Sequence, residues 1–135
     1  MKYFTIKELC ESQKAKMYGI NNHTISATVA DNLVLLVDNI LDPLRKAYGK
    51  PITVNSGYRC EKLNRLVGGV TNSHHMLGMA ADVVGTPNTV TENKKLFALV
   101  KQLNLPFCQM INESNYSWLH ISYDKNNIKR QTLNL

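Results

Sequence analysis

The segment Ser73–Asp82, SHHMLGMAAD, places two adjacent histidines and an aspartate among small and apolar residues. Imidazole and carboxylate groups are ligands that zinc takes in proteins, and a catalytic zinc site usually has three protein ligands and a fourth position open to water. A third ligand is available at His120, inside the apolar run Trp118–Ser122. Such a site would require a fold that brings these distant residues together.

Composition and length fit one globular domain. The chain has 135 residues, 44% hydrophobic and 19% charged, which is enough to bury a core and argues against disordered and fibrous classes. No run approaches the roughly 18 apolar residues that span a bilayer. The N-terminus turns polar at once and lacks the apolar part of a secretory signal. We therefore expect a monomer that is made in the cytoplasm, or that leaves the cell by a route without a signal peptide.

The net charge limits the kinds of binding partner, and the cysteine count limits the kinds of covalent and metal cross-link. Sixteen basic and ten acidic residues give a net charge of +6, which favours polyanions such as nucleic acid or an acidic cell wall. The basic residues form no dense block with interleaved aromatic residues, so specific nucleic-acid binding is not expected. Cys10, Cys60 and Cys108 are odd in number and widely separated, which argues against a disulfide framework and a thiolate zinc site.

The hydrophobic pattern predicts a single α+β domain over residues 1–135, because helix and strand patterns mix without regular alternation. Its main core helix begins at Thr28 and is kinked or divided at Pro43. The tail, residues 125–135, is polar and is expected to be partly loose, with docking of its last leucines as the alternative. The other predicted elements are a helix after Thr5, a loop over 18–27, strands over 51–55 and 80–84, a helix over 61–67, a loop over 70–79, a helix opened by Thr89 and Glu92, and a hairpin over 107–123.

The predicted hairpin gives a geometric test of the site. If Glu113 and Trp118 close a loop over residues 114–117, then Glu113, Trp118, His120 and Gln109 project from one face of the hairpin. A carboxylate and the third metal ligand would then converge. A slip of one residue in this register would reverse the conclusion.

These residue types suit metal-assisted hydrolysis of an amide. Zinc lowers the pKa of a bound water to about 7 and polarises a carbonyl oxygen. Glu113 is the candidate general base, because a carboxylate within hydrogen-bond reach can pass the water proton to the leaving amine. Arg59 would supply a fixed positive donor for an oxyanion or a substrate carboxylate, although an arginine at a helix start is most often a surface residue.

Each candidate also has a purely structural interpretation. Adjacent histidines do not easily both bind one metal, and the spacing does not say which of His74 and His75 would do so. Asp82 also fits a core aspartate satisfied by backbone donors, and His120 fits a satisfied strand histidine equally well. Glu113 in a turn would ordinarily be a solvated carboxylate. The residue types alone leave the metal site open.

Three ordered motifs resemble the D-Ala-D-Ala carboxypeptidase-like zinc peptidases, whose fold is shared with lysostaphin-type peptidases and the hedgehog signalling domain. They are SGYRCEKLNRLVGG (Ser56–Gly69), SHHMLGMAADV (Ser73–Val83) and WLHIS (Trp118–Ser122). The N-terminal part, with KYFTIKEL and LDPLRKAYGKPITV, also resembles small single-domain members, many of them encoded by phages and prophages. The resemblance implies an antiparallel sheet with flanking helices.

The resemblance also implies a role for each motif residue. The family motif S-x-H-x-x-G-x-A-x-D selects His75 over His74 and gives, with the W-x-H motif, one Zn²⁺ ion held by His75, Asp82 and His120. Glu113 takes the place of the catalytic glutamate, and Arg59 that of the arginine that contacts substrate and stabilises the tetrahedral intermediate. Ser73 and Trp118 are expected beside the substrate. Two departures, Cys60 for a small hydroxyl residue and His74 for a common glutamine, remove no ligand.

The function that the resemblance implies is hydrolysis of a peptide bond in peptidoglycan stem peptides, as a small endolysin-like lysis or remodelling enzyme. The resemblance does not specify which bond is cleaved, since the same zinc ligands and catalytic groups serve D-Ala-D-Ala carboxypeptidases, dipeptidases and L-Ala-D-Glu endopeptidases. One alternative is a zinc-stabilised wall-binding module without catalysis. Another is a basic nucleic-acid-binding protein, whose binding would be steeply salt-dependent.

Overall fold

A five-stranded sheet with the order β1-β2-β4-β3-β5 forms the centre of the fold in the computed structural model, which describes residues 1–135. All neighbouring strands are antiparallel except β3 and β5, which are parallel. The strands are β1 (Thr53–Ser56), β2 (Ala80–Val84), β3 (Gln109–Glu113), β4 (Trp118–Ser122) and β5 (Gln131–Asn134). The α-helices are α1 (Ile6–Cys10), α2 (Gln13–Met17), α3 (Ala27–Leu36), α4 (Asp42–Tyr48), α5 (Glu61–Leu66) and α6 (Val90–Gln102). This arrangement confirms the predicted α+β class.

The main helical segment is divided near Pro43, as predicted. A π-helical turn, Val37–Leu41, joins α3 to α4, and Pro43 lies in the first turn of α4. Proline lacks an N–H and its ring crowds the preceding turn, so a wide turn before it relieves the clash. The predicted start at Thr28 was one residue late, because the hydroxyl of Ser26 accepts the Val29 N–H and caps α3.

Strand alternation gives the sheet two different faces. One face packs against the helices and contributes to the hydrophobic core. Its buried apolar residues are Ala81, Val83, Met110, Leu119 and Ile121. The alternate residues of the same strands point to the opposite face, which is covered in part by the chain between β1 and β2. Polar side chains can therefore collect on that second face without entering the core.

Three short elements differ from the sequence prediction. Helix α2 precedes the predicted loop, and a 3-10 helix, His74–Leu77, lies within residues 70–79. The predicted loose tail ends instead in β5, because the Gln131 N–H donates to the Cys108 carbonyl at 3.1 Å and β5 then pairs along β3. These bonds are made by the main chain, so the side-chain pattern gave little sign of them. None of the helices combines the length and apolar composition needed to cross a membrane.

A buried carboxylate connects α6 to α4. Glu92 is only 6% exposed and accepts hydrogen bonds from Tyr48 Oη at 2.6 Å, from Lys95 Nζ at 2.9 Å and from Lys50 Nζ. These contacts lower the pKa of Glu92 from 4.5 to about 2, and the contact with Lys50 has the largest effect. Lowering the pKa in the folded state means that the ionised carboxylate stabilises the fold.

This cluster predicts an acid-dependent loss of stability. Because the pKa of Glu92 is depressed, its contribution is complete above pH 4.5 and disappears as the pH falls towards about 2. Glu92→Gln should therefore lower the urea midpoint at neutral pH, and the difference from the wild type should shrink steadily through that acid range. Glu61→Gln on the exposed surface of α5 is the matched control. A difference independent of pH would contradict the assignment.

Candidate metal centre

One row of residues across the sheet positions two of the predicted ligands. Asp82 on β2 lies directly opposite His120 on β4, and both side chains point to the second face of the sheet. On the far side of β4, His120 pairs with Ile111, and Glu113 pairs with Trp118. The predicted hairpin register is therefore confirmed. Adjacent strands hold the carboxylate and one imidazole together without any loop.

His75 reaches the same point from the 3-10 helix. The Ser73 hydroxyl caps this helix by accepting the His75 N–H at 3.1 Å. Gly78 ends it with a left-handed φ of 73°, and a β-carbon there would lie 2.8 Å from the Val29 carbonyl oxygen. Both the conformation and the space therefore require glycine at this position. The motif residues around His75 thus set the path that carries its ring to the sheet.

The three donor groups converge. His75 Nδ1 lies 2.7 Å from the carbonyl oxygen of Gly57, so this nitrogen carries the hydrogen and donates it. The other nitrogen, Nε2, points to Asp82 and lies 3.3 Å from Oδ1. His120 Nδ1 is 3.1 Å from the same oxygen. One ligand atom from each residue lies within 4.8 Å of the others.

This arrangement fits a metal ion. His75 is 1% exposed, and its Nε2 is buried without a hydrogen-bond partner. A buried polar atom without a partner costs free energy, whereas a cation between the three donors would satisfy it. Two imidazoles and a carboxylate are a donor set that zinc accepts. Burial would raise the pKa of Asp82, but the adjacent imidazoles of His120 and His75 outweigh it and hold that pKa well below its ordinary value.

Arg59 enters the site beside His75. Its backbone N–H donates to the His75 carbonyl at 3.0 Å, and its Nε is buried without a partner. Burial lowers the pKa of the guanidinium, and the attraction of Asp82 acts in the opposite direction. Arginine remains charged in proteins, so the site contains a positive donor with free hydrogen-bonding capacity.

Asn22 fixes this segment, and the sequence prediction missed it. The residue lies in the predicted loop over 18–27, yet it is only 1% exposed. Its amide donates to the carbonyls of Cys10 and Tyr58, each at 2.9 Å, and its oxygen accepts the Cys60 N–H at 2.8 Å. It therefore holds the backbone on both sides of Arg59. An isolated asparagine in a polar loop carries no signal of this role.

The three donors lie in a cleft with a volume of about 620 Å³. Four other candidate residues also line this cleft: Glu113, Trp118, Ser73 and His74. Glu113 lies one residue pair further along the hairpin than His120, on the same face. His74 lies outside the cluster of three donors. Its pKa is lowered chiefly by burial and also by the nearby His120. The Ser73 hydroxyl already caps the 3-10 helix, and its contact with substrate stays a prediction.

The hairpin loop that follows Glu113 is held in an unusual conformation. Three consecutive residues have positive φ: Ser114 (49°), Asn115 (54°) and Tyr116 (61°). The buried amide of Asn93 donates to the Tyr116 carbonyl at 2.8 Å, and its oxygen accepts the Gly85 N–H at 2.8 Å. Because α6 supports the loop in this way, the end of β3 that carries Glu113 has a defined position.

The fold and this site define a class of protein, a small α+β domain with a histidine–aspartate–histidine cluster that could hold a metal ion on one face of its sheet. Comparison with known families assigns the chain to a peptidase family. Residues 2–122 match the family described as Peptidase M15. The chain belongs to this family, and the resemblance drawn from the three motifs is confirmed.

A curated relative covers part of the same region. Over 60 residues, 44% of this chain, the sequence is 47% identical to a protein from Streptomyces albus G named zinc D-Ala-D-Ala carboxypeptidase. The match spans 24% of that relative's length. The similarity therefore concerns one part of a longer protein.

The geometry predicts which histidines hold the metal. His75→Ala and His120→Ala should weaken zinc binding at least about a hundredfold, because each removes one of three donors. His74→Ala and His23→Ala should still retain about one zinc per chain. Dialysis against dilute zinc followed by elemental analysis measures the content. Retention by His75→Ala with loss by His74→Ala would move the site.

Proposed function

We propose that the protein is a zinc-dependent peptidase that hydrolyses an amide bond in peptidoglycan stem peptides. The observation that carries the proposal is the convergence of three donors, His75, Asp82 and His120, within 4.8 Å of one another in the cleft that Glu113 and Arg59 also line. The name of the Streptomyces albus G relative supports both zinc and a D-alanyl peptide as substrate. All the groups needed for amide hydrolysis share one cleft.

The residues divide the chemistry between them. Zinc held by the three donors would supply an activated water and a polarised carbonyl. The Glu113 carboxylate takes a proton from the attacking water and returns it to the nitrogen of the leaving amine. The Arg59 guanidinium holds the negative charge that develops on the carbonyl oxygen, or a carboxylate of the substrate. Asn22 and the Gly57 carbonyl keep Arg59 and His75 in place and make no contact with the reacting atoms.

The same proposal covers where the enzyme acts. The protein would be made in the cytoplasm and reach the cell wall as a small lysis enzyme of the endolysin kind, working as a monomer. Its formal charge of +6 favours association with an acidic wall. Carboxypeptidase and endopeptidase activities are both compatible with the groups in the cleft, and the bond is to be found by experiment.

Mass spectrometry of muropeptides tests this function directly. Purified peptidoglycan is incubated with the zinc-loaded protein, and the released fragments identify the bond. We expect a new amine and a new carboxylate at one defined position, and the loss of both after chelation of the metal. If the protein sediments with the wall but releases no new amines, it is a binding module and the proposed activity is wrong.

Glu113→Gln tests the proton transfer. The variant should keep stoichiometric zinc, because Glu113 is outside the donor set, and hydrolysis should fall by about 10²- to 10⁴-fold as a general acid–base group is lost. Glu61→Gln removes a carboxylate from the exposed face of α5 and should hydrolyse at the wild-type rate. Unchanged turnover in Glu113→Gln would remove Glu113 from the mechanism.

A further inference from the structure

We propose that β5 determines substrate specificity, through an apolar shelf formed by Ile111, Leu133 and Leu135. The shelf would bind the aliphatic side chain of the residue two positions before the scissile bond. This inference rests on the proposed peptidase activity and adds the class of side chain that the cleft selects. It also fixes the direction in which the peptide lies across the sheet.

The shelf continues the row of residues that holds the metal ligands. Leu133 pairs with Ile111 across β5 and β3, and Ile111 pairs with His120 across β3 and β4. Neighbouring strands lie about 4.8 Å apart, so Leu133 is about 10 Å from His120 along this row. An extended peptide advances about 3.3 Å per residue. A residue two positions from the bond above His120 thus lies about 7 Å along the row, between Ile111 at about 4.8 Å and Leu133 at about 10 Å, so its side chain faces the shelf.

The chemistry of the shelf differs from that of the rest of the row. Ile111 is only 8% exposed and lies outside the main hydrophobic core, Leu133 is partly buried, and Leu135 is 73% exposed. Leu133 and Leu135 line the same cleft as the metal ligands. An exposed apolar surface that is continuous with a polar site favours a ligand with one aliphatic part.

Hydrogen bonds hold the shelf in register. The Gln109 amide donates to Gln131 Oε1 and the Asn112 amide donates to Asn134 Oδ1, each at 3.1 Å. The Leu135 N–H donates to the Asn112 carbonyl at 2.9 Å. Both ends of β5 are thus fixed on β3, so the leucines of the shelf have defined positions before substrate arrives.

Arg59 sets the direction of the peptide. It follows β1, which pairs with β2 on the side of Asp82 away from His120. The positive group and the apolar shelf therefore lie on opposite sides of the metal ligands. A substrate whose carboxylate meets Arg59 would lay its acyl portion towards Leu133. The family match covers residues 2–122, so β5 lies outside the matched region.

The experiment compares two peptides in a variant that binds without cutting. Zinc-loaded Glu113→Gln is titrated with diacetyl-L-lysyl-D-alanyl-D-alanine and with acetylglycyl-D-alanyl-D-alanine, which lacks the aliphatic chain. Fluorescence of Trp118, the single tryptophan, reports binding within the cleft. We expect the lysyl peptide to bind about tenfold more tightly, as burial of one to two methylene groups would give.

Shelf variants should reduce this preference and nothing else. Adding Leu133→Ala or Leu135→Ala to Glu113→Gln should lower it to about twofold and leave the affinity for the glycyl peptide unchanged. Leu135 is largely exposed, so its variant carries no risk to folding. Leu103→Ala, at an exposed leucine that follows α6, is the matched control and should keep the full preference.

The failure of the shelf and the failure of the peptidase are distinguishable. Equal binding of the two peptides by the parent, or a preference that survives in both shelf variants, would overturn the shelf alone. The same holds if neither peptide binds although the wild type cleaves peptidoglycan. If peptidoglycan is not cleaved either, both proposals are wrong.

Discussion

The hydrogen bond from His75 Nδ1 to the Gly57 carbonyl is the contact on which the site depends. It turns the second nitrogen of the ring towards Asp82. A second hydrogen bond, from the Arg59 N–H to the His75 carbonyl, joins the segment that follows β1 to the 3-10 helix. Gly57 is packed so closely that a β-carbon would lie 2.2 Å from the Leu9 carbonyl oxygen. One contact between two segments therefore orients a candidate metal ligand and places the positive group beside it.

The sheet fixes the relative positions of the other groups of the site, Asp82, His120 and Glu113. Asp82 and His120 are neighbours on paired strands, and Glu113 lies on the same face one step along the hairpin. Strand alternation keeps the apolar core on the other face, so the polar groups are preorganised without being buried in it. The candidate site depends on that separation of the two faces.

Much of this could be predicted from local patterns. The hairpin register followed from the loop over residues 114–117, and the break at Pro43 followed from the chemistry of proline. The sequence was less informative where main-chain contacts between distant segments decide the structure. Neither the docking of β5 on β3 nor the role of Asn22 between Cys10 and Tyr58 leaves a periodic pattern in the sequence.

The sequence by itself determined the chemical groups, the fold class and the family, because ligand types, hydrophobic period and ordered motifs are all local properties. The tertiary structure decided which atoms meet. It placed His75 Nε2, Asp82 and His120 together and left His74 outside that cluster. It also added a strand that brings Leu133 into the cleft. The physical reason is that distances between residues far apart in the chain depend on strand pairing and on buried hydrogen bonds, which only the folded chain forms.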